Sequence, residues 1–160
     1  MKLNVKVYSD GAKLTDMKAV AAKGLVAGFT TNPSLMKAAG ITDYLAFAKE
    51  AVATFPDQSI SFEVFGNTPE RMLAEAKVLA ALGKHVAVKV PIIRASGDDN
   101  TAVITALSDA GVQVNVTAIT TLQEVKLAVD ALNAQTGGIV SVFAGRIADT
   151  GVDPMPMMKP

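Results

Sequence analysis

The chain has 160 residues, 50% of them hydrophobic, and its 15 basic and 15 acidic residues cancel. That length and apolar content suffice for one sizeable core, and without a surplus of positive charge a nucleic acid is not the expected partner. With no cysteine and a single histidine, His85, the sequence excludes a disulfide framework, a thiolate nucleophile and a multi-histidine zinc site. The longest apolar runs stop well short of the roughly 18 residues that cross a membrane. Met1-Lys2-Leu3-Asn4-Val5-Lys6 lacks the uninterrupted apolar core of a signal peptide. A soluble cytoplasmic protein of one domain, with no membrane partner, is the expectation.

In chain order, β-branched runs alternate with alanine-rich segments of helical spacing. Val5 to Ser9 reads as the first strand, and Gly24 suits the left-handed end of the helix that follows. Val26 to Phe29 is the second strand. After it, Asn32-Pro33-Ser34 offers capping side chains and a proline that favours a helix start. Thr42 or Asp43 opens a long helix to about Thr54, and Ser59 to Val64 is the third strand. In Thr68-Pro69-Glu70-Arg71 the threonine can cap, the proline suits the first helical position and the glutamate favours the positive helix end. That helix should stop near Gly83, in a left-handed conformation. Val86 to Val90 is the fourth strand and Val112 to Val116 the fifth; Thr120 or Thr121 opens a helix towards Asn133, and Ile139 to Phe143 is the sixth strand. Strict alternation of strand and helix implies a parallel sheet with helices packed outside it.

The pattern within the strands is more telling than their order. Ser59, Ser61 and Glu63 oppose Ile60, Phe62 and Val64; His85, Ala87 and Lys89 oppose three valines; Gln113, Asn115 and Thr117 repeat the arrangement. Tyr8 shares a face with Asp10, and Ser141 with Phe143. An open doubly wound sheet is covered on both faces and should read apolar on both. One apolar and one polar face instead predict an α/β TIM (β/α)8-type barrel, of which about six βα units are present, its valines against the helices and its polar side chains lining the mouth. A half-solvated antiparallel sheet is the alternative, and the long helical connections fit it poorly.

Lys89, flanked by Val86, Val88, Val90 and Pro91, is the first candidate for chemistry. Lysines are almost never fully buried unless paired, and burial disfavours an ammonium over the free amine that attacks a carbonyl. The alternative is a lysine at a strand end that reaches water along its stem. Asp10 and Glu63 lie at strand ends on the same polar series, where a carboxylate in a low-dielectric barrel can carry protons. Either could instead form only a structural ion pair with Lys89. Arg146, just past the sixth strand, is a fixed guanidinium suited to a phosphate. The seven methionines, four of them near the ends (Met1, Met155, Met157, Met158), read as packing or tail residues rather than metal ligands.

Gly28-Phe29-Thr30-Thr31-Asn32-Pro33-Ser34, Val88-Lys89-Val90-Pro91, Asn115-Val116-Thr117 and Phe143-Ala144-Gly145-Arg146-Ile147, in this order, closely resemble the transaldolase family. The resemblance covers essentially the whole chain and implies a class I aldolase barrel with its Schiff-base lysine on the fourth strand. On that basis Lys89 is the imine-forming residue and Asp10 the proton carrier, Glu63 and Thr117 hold the catalytic water, and Asn32 and Asn115 bind donor hydroxyls. Ser141 and Arg146 help to hold the substrate and its phosphate, and Thr31, Ser34 and Phe143 complete the substrate-binding set. Fructose-6-phosphate aldolases of the same family carry Gln in place of Glu63 and Tyr in place of Phe143, so both positions resemble the transaldolases proper. The implied reaction moves a dihydroxyacetone unit from a ketose phosphate to an aldose phosphate, as in the pentose phosphate pathway. Sugar phosphates are its partners, and neither a metal nor an organic cofactor is required.

A complete eight-stranded barrel needs at least roughly 200 residues. Strands seven and eight are therefore expected to be absent from this chain, which stops at Met157-Met158-Lys159-Pro160, where the helix after strand six is expected to begin; a fragment and a short protein that completes its barrel through another chain both fit this expectation. Open sheet edges then lead to an expectation of homo-oligomers, and an inactive, self-associating barrel fragment is the alternative to an active enzyme.

Overall fold

The computed structural model describes residues 4–158. Six strands form one sheet in the order β1-β2-β3-β4-β5-β6: Tyr8–Asp10, Gly28–Thr30, Ser59–Glu63, Val86–Pro91, Val114–Ile119 and Gly138–Val142. Strands β1 and β2, β2 and β3, and β5 and β6 pair in parallel. Strand order equal to chain order, with a helix after each strand, is the arrangement of six βα units of a TIM-type barrel. The chain divides into two compact units, one of residues up to 65 with 75–88, the other of 66–74 with residues from 89 onwards.

In the first unit, helix starts follow the side chains that the sequence singles out. Asn32 caps α2 (Pro33–Ala38), its Oδ1 accepting from the Leu35 amide at 3.0 Å. Of the two residues proposed to open α3 (Tyr44–Thr54), Asp43 does so, its carboxylate accepting from the Ala46 amide at 2.9 Å. Helix α1 (Leu14–Ala21) ends as expected, with Gly24 at φ 65° and its amide donating to the Ala21 carbonyl. The aromatic core joins Phe29 to Phe55 at 4.7 Å between ring centroids and sets Phe47 edge-on to Phe62 at 6.4 Å.

Two expectations fail here for physical reasons. The first strand begins at Tyr8, not Val5, because its pairing partner begins only at Gly28; Val5 is 70% exposed. Helix α4 (Pro69–Ala80) stops before Gly83, and that glycine has no left-handed backbone. Its small size serves packing instead, since an added Cβ would lie 3.1 Å from Cγ1 of Val52.

The second unit contains α5 (Thr101–Asp109), α6 (Leu122–Ala131), α7 (Ala144–Asp149) and α8 (Met155–Met158). Thr121 caps α6 in a reciprocal box, its hydroxyl accepting from the Glu124 amide while the Glu124 carboxylate accepts from the Thr121 amide. Val103, Ile104 and Leu107 of α5 are buried with Ala128 and Ala131 of α6, and the buried Ser108 hydroxyl accepts from the Asn133 amide at 2.9 Å. The fifth strand starts two residues later than expected, at Val114, and runs on to Ile119. The helix after strand six begins at once, at Ala144, rather than at Met157. The β4–α5 connection forms a small antiparallel bridge, Ile93 with Asp99, across an Arg94–Asp98 ion pair at 3.2 Å. Met1, Lys159 and Pro160 lie outside the described residues. No helix among the described residues is long and apolar enough to cross a membrane.

Among the glycines of the first unit, Gly28 has the closest neighbour. Its Cα faces Ser59 across β2/β3, and an added Cβ would lie 2.2 Å from the Ser59 carbonyl oxygen. Gly28→Ala should therefore destabilise the fold by about 1–3 kcal/mol, the usual cost of overpacking, measured as a lower denaturant midpoint at unchanged m-value. A midpoint equal to the parent's would show that the two strands separate without cost.

Candidate active site

Each unit carries its own set of the residues identified from the sequence. In the first, Asp10 ends β1 and is exposed, while its Oδ1 accepts from the Thr30 hydroxyl at 2.8 Å. Its place in the polar series predicts a carboxylate inside a low-dielectric barrel. A terminal strand paired on one side only leaves it open to water. Thr30, its neighbour in register, lies within the Gly28-to-Ser34 motif, and no local pattern marks its bond to Asp10. Thr31 is buried, and its amide donates to the Ser61 carbonyl at 3.1 Å. Asn32 is half-buried and spends its side-chain oxygen on the α2 cap. Ser34 is exposed on the first turn of α2.

Glu63 ends β3 and is half-buried. Its backbone carbonyl accepts a 2.7 Å hydrogen bond from the hydroxyl of Tyr44, a residue that sequence reasoning missed. Tyr44 packs edge-on against Phe65 at 4.8 Å and Phe62 at 6.2 Å. Burial, with the Glu63 and Glu75 carboxylates adding to it, pushes the Tyr44 hydroxyl far above the ordinary tyrosine range. Tyr44 therefore remains a donor at any working pH. Glu75 ties down the next residues, its Oε2 accepting from the Phe65 amide at 2.7 Å. No signal in the sequence marks Tyr44 except its place in the first turn of α3.

In the second unit, Lys89 is 6% exposed within β4, where Val86 to Val90 are all buried. Little of the lysine side chain therefore meets water. Asn115 and Thr117, on β5, are buried as well, and the Asn115 Oδ1 accepts from the Ser141 hydroxyl of β6 at 2.7 Å. The Thr117 hydroxyl is buried and has no hydrogen-bond partner among the described residues, a state that normally costs about 1–3 kcal/mol. Next to it, Ala118 has a left-handed backbone with φ 62°, costing a non-glycine residue roughly 1–2 kcal/mol.

Phe143 and Arg146 stand apart from this buried group. Phe143 is exposed, and its amide continues the ladder by donating to the Ile119 carbonyl at 2.8 Å. Arg146 lies on α7, its side chain 78% exposed and 3.9 Å from the Asp149 carboxylate. The two border an open recess of about 440 Å³ completed by Val142, Ala144, Gly145 and Asp149. The guanidinium is thus accessible to an anion, and Asp149 is its competitor. Among the described residues no group of three or more His, Cys, Asp or Glu side chains is placed to hold a metal ion.

Tyr44→Phe keeps the ring and removes only the bond to the Glu63 carbonyl. The expected loss is about 1 kcal/mol, which for a chain of this length lowers Tm by about 2–4 °C. Thermal unfolding of the pair checks this; an unchanged Tm would mean that the hydroxyl does not anchor the end of β3.

The family model described as Transaldolase/Fructose-6-phosphate aldolase matches residues 7–159. A probable transaldolase of Dehalococcoides mccartyi is 30% identical over 155 residues, 97% of this chain and 68% of that protein. Probable transaldolases of Methanococcus maripaludis (34% over 151 residues, 94% of this chain and 66% of that protein) and Erythrobacter litoralis (35% over 156 residues, 97% and 67%) are also similar. The chain thus spans about two thirds of the length of these relatives. With motifs and strand order in agreement with these matches, the chain belongs to the transaldolase/fructose-6-phosphate aldolase family.

Proposed function

We propose that the chain carries a Schiff-base transaldolase site in which Lys89 is the nucleophile. The observation that supports this reading most is a lysine 6% exposed among buried valines, in the strand before a buried Asn115 and Thr117. Such a lysine is costly to keep for stability alone. Its amine attacks the C2 carbonyl of a ketose phosphate, and loss of water from the carbinolamine gives the protonated imine. The C3–C4 bond then breaks, its electron pair moving into the imine to form an enamine, and an aldose phosphate leaves. The enamine attacks the aldehyde carbon of an acceptor aldose phosphate, and water hydrolyses the new imine to restore Lys89. The protonated imine is itself the electron sink, so the sequence of steps closes without a further group.

Asp10 is the proton carrier in this reading, taking the proton of the C4 hydroxyl as the C–C bond breaks and returning it to the acceptor's new hydroxyl. Glu63 and Thr117 hold the water that leaves and re-enters. Asn32 and Asn115 bind donor hydroxyls together with Thr31, Ser34, Ser141 and Phe143, and Arg146 receives the phosphate. Glu63 and Phe143, in place of Gln and Tyr, favour transfer to an acceptor over release of free dihydroxyacetone.

Borohydride added with fructose 6-phosphate should fix a covalent mass increment on Lys89, and Lys89→Ala should lose both the adduct and turnover in a coupled transaldolase assay. A folded chain that gives no adduct, or an adduct unchanged in Lys89→Ala, ends this reading. Asp10→Asn should slow C–C cleavage on the order of 10²–10⁴-fold, the usual contribution of a general acid–base group, while ketose phosphate still binds. Were Asp10→Asn to turn over at the parent rate with only a lower Tm, its bond to Thr30 would be structural.

A further inference from the structure

The end of the lysine strand is held by a residue outside the motifs. Pro91 closes β4 two places after Lys89, and a proline has no amide, so at that point the strand can offer only a carbonyl. That carbonyl accepts from Nδ2 of Asn100 at 2.8 Å. The next carbonyl, of Ile92, accepts from the backbone amide of the same Asn100 at 2.9 Å. One residue, itself 1% exposed, thus takes both carbonyls at which the lysine strand ends. On its amide side Ile92 donates to the Thr117 carbonyl of β5 at 2.9 Å, so Asn100 and Thr117 grip the same residue.

Stability alone does not explain why an asparagine is used in this way. Asn100 occupies the N-cap position of α5, where such a side chain ordinarily gives its oxygen to an amide of its own helix. It makes no capping bond here; the Asp99 carboxylate accepts from the Thr101 amide at 2.9 Å instead. With the nitrogen committed to β4, Oδ1 of Asn100 is buried and has no hydrogen-bond partner among the described residues. A buried acceptor left unmet costs at least as much as one neutral hydrogen bond returns. The Thr117 hydroxyl is in the same state. Both residues that hold Ile92 therefore carry an unmet buried oxygen, and local stability is given up at the end of β4, as happens where a fold serves chemistry.

We infer that Asn100 is a positioning residue for Lys89: its two N–H groups fix the end of β4, and with it the direction in which the lysine amine meets the sugar carbonyl. The inference rests on the reading of Lys89 as the imine-forming lysine. Without the clamp, the strand would run out of donors and partners at Pro91, two residues from the lysine. A small backbone rotation there is carried along a flexible four-carbon stem to the amine.

The test compares Asn100→Asp, which keeps the shape and removes the Nδ2 donor, and Asn100→Ala with a control at the other end of α5. Ser108→Ala is that control, because Ser108 is buried and its hydroxyl accepts from the Asn133 amide. Each protein is assayed equally far below its own Tm, so that lost stability alone moves nothing. Both Asn100 variants should slow borohydride trapping of Lys89 with fructose 6-phosphate, and kcat, about 10²-fold, the effect of displacing a reacting group by an ångström, with KM nearly unchanged. Ser108→Ala should lower Tm and trap at the parent rate. If Asn100→Asp fails to fold, Asn100→Ala, which buries no charge, carries the test. Folded Asn100 variants that trap at the parent rate, or a Ser108→Ala slowed as much as they are, overturn the inference, while an adduct in the parent chain still supports Lys89. Absence of an adduct in the parent chain overturns the lysine reading and this inference with it.

Discussion

Burial on both faces of β4 is the constraint on which the rest of the site depends. In a strand whose residues from Val86 to Val90 are all buried, Lys89 keeps only 6% of its surface exposed. A parallel strand between two neighbours is normally filled with β-branched residues on both sides, because helices or a barrel interior cover each face. Here the valines meet that requirement on one side and Lys89 violates it on the other. The neighbouring strand shares the violation, since Asn115 and Thr117 take the positions where further apolar residues would stabilise the sheet. Local sequence–structure consistency breaks on one set of alternate positions only, as expected where a fold gives up stability for chemistry.

How the polar groups are held differs between the two units. In the first, side chains with chemistry are oriented by hydrogen bonds at strand ends: Thr30 to the Asp10 carboxylate, Tyr44 to the Glu63 carbonyl, and Asn32 to its own helix start. In the second, burial does most of the orienting, and the Ser141–Asn115 bond is the main polar fixture. A hydrogen bond to an exposed carboxylate contributes little stability but narrows its rotamers. A buried Asn–Ser pair instead becomes costly if either partner is lost.

Much of this was legible in the sequence, for reasons that are local. Asn32, Asp43 and Thr121 each announce a helix start because a short polar side chain can bond an amide three residues ahead, and each does so. Alternation placed Lys89, Asn115 and Thr117 on one series because the period of a strand is two, and all three are buried. What failed depends on partners distant in sequence. The start of β1 is set by where β2 can pair, and the role of Gly83 by Val52. The exposure of Asp10 follows from the place of β1 in the strand order. Tyr44 and Thr30 gain their roles from contacts 19 and 20 residues away, which no local pattern records.

Strand β5 bulges once, between Val116 and Ile119, where Thr117 and the left-handed Ala118 (φ 62°) oppose Ser141 alone, and this bulge lies between these cases. The run Asn115-Val116-Thr117-Ala118-Ile119 contains a visible break, because an isoleucine falls where the polar series should continue. A break in period can mean the end of a strand, and from sequence the strand is expected over Val112 to Val116. The alternative, one inserted residue followed by resumed pairing, keeps Ile119 in the core and carries the ladder on to the Phe143 amide. Hydrophobic burial decides between them. A fully buried isoleucine gains about 1.5–3 kcal/mol over an exposed one, which matches or exceeds the roughly 1–2 kcal/mol cost of a left-handed alanine. The same exchange leaves the Thr117 hydroxyl buried and unmatched, so burial of Ile119 accounts for the bulge but not for a threonine beside it. Valine at that position would fill nearly the same volume without an unmet hydrogen bond, and the choice of a hydroxyl is the part that packing leaves for chemistry to explain.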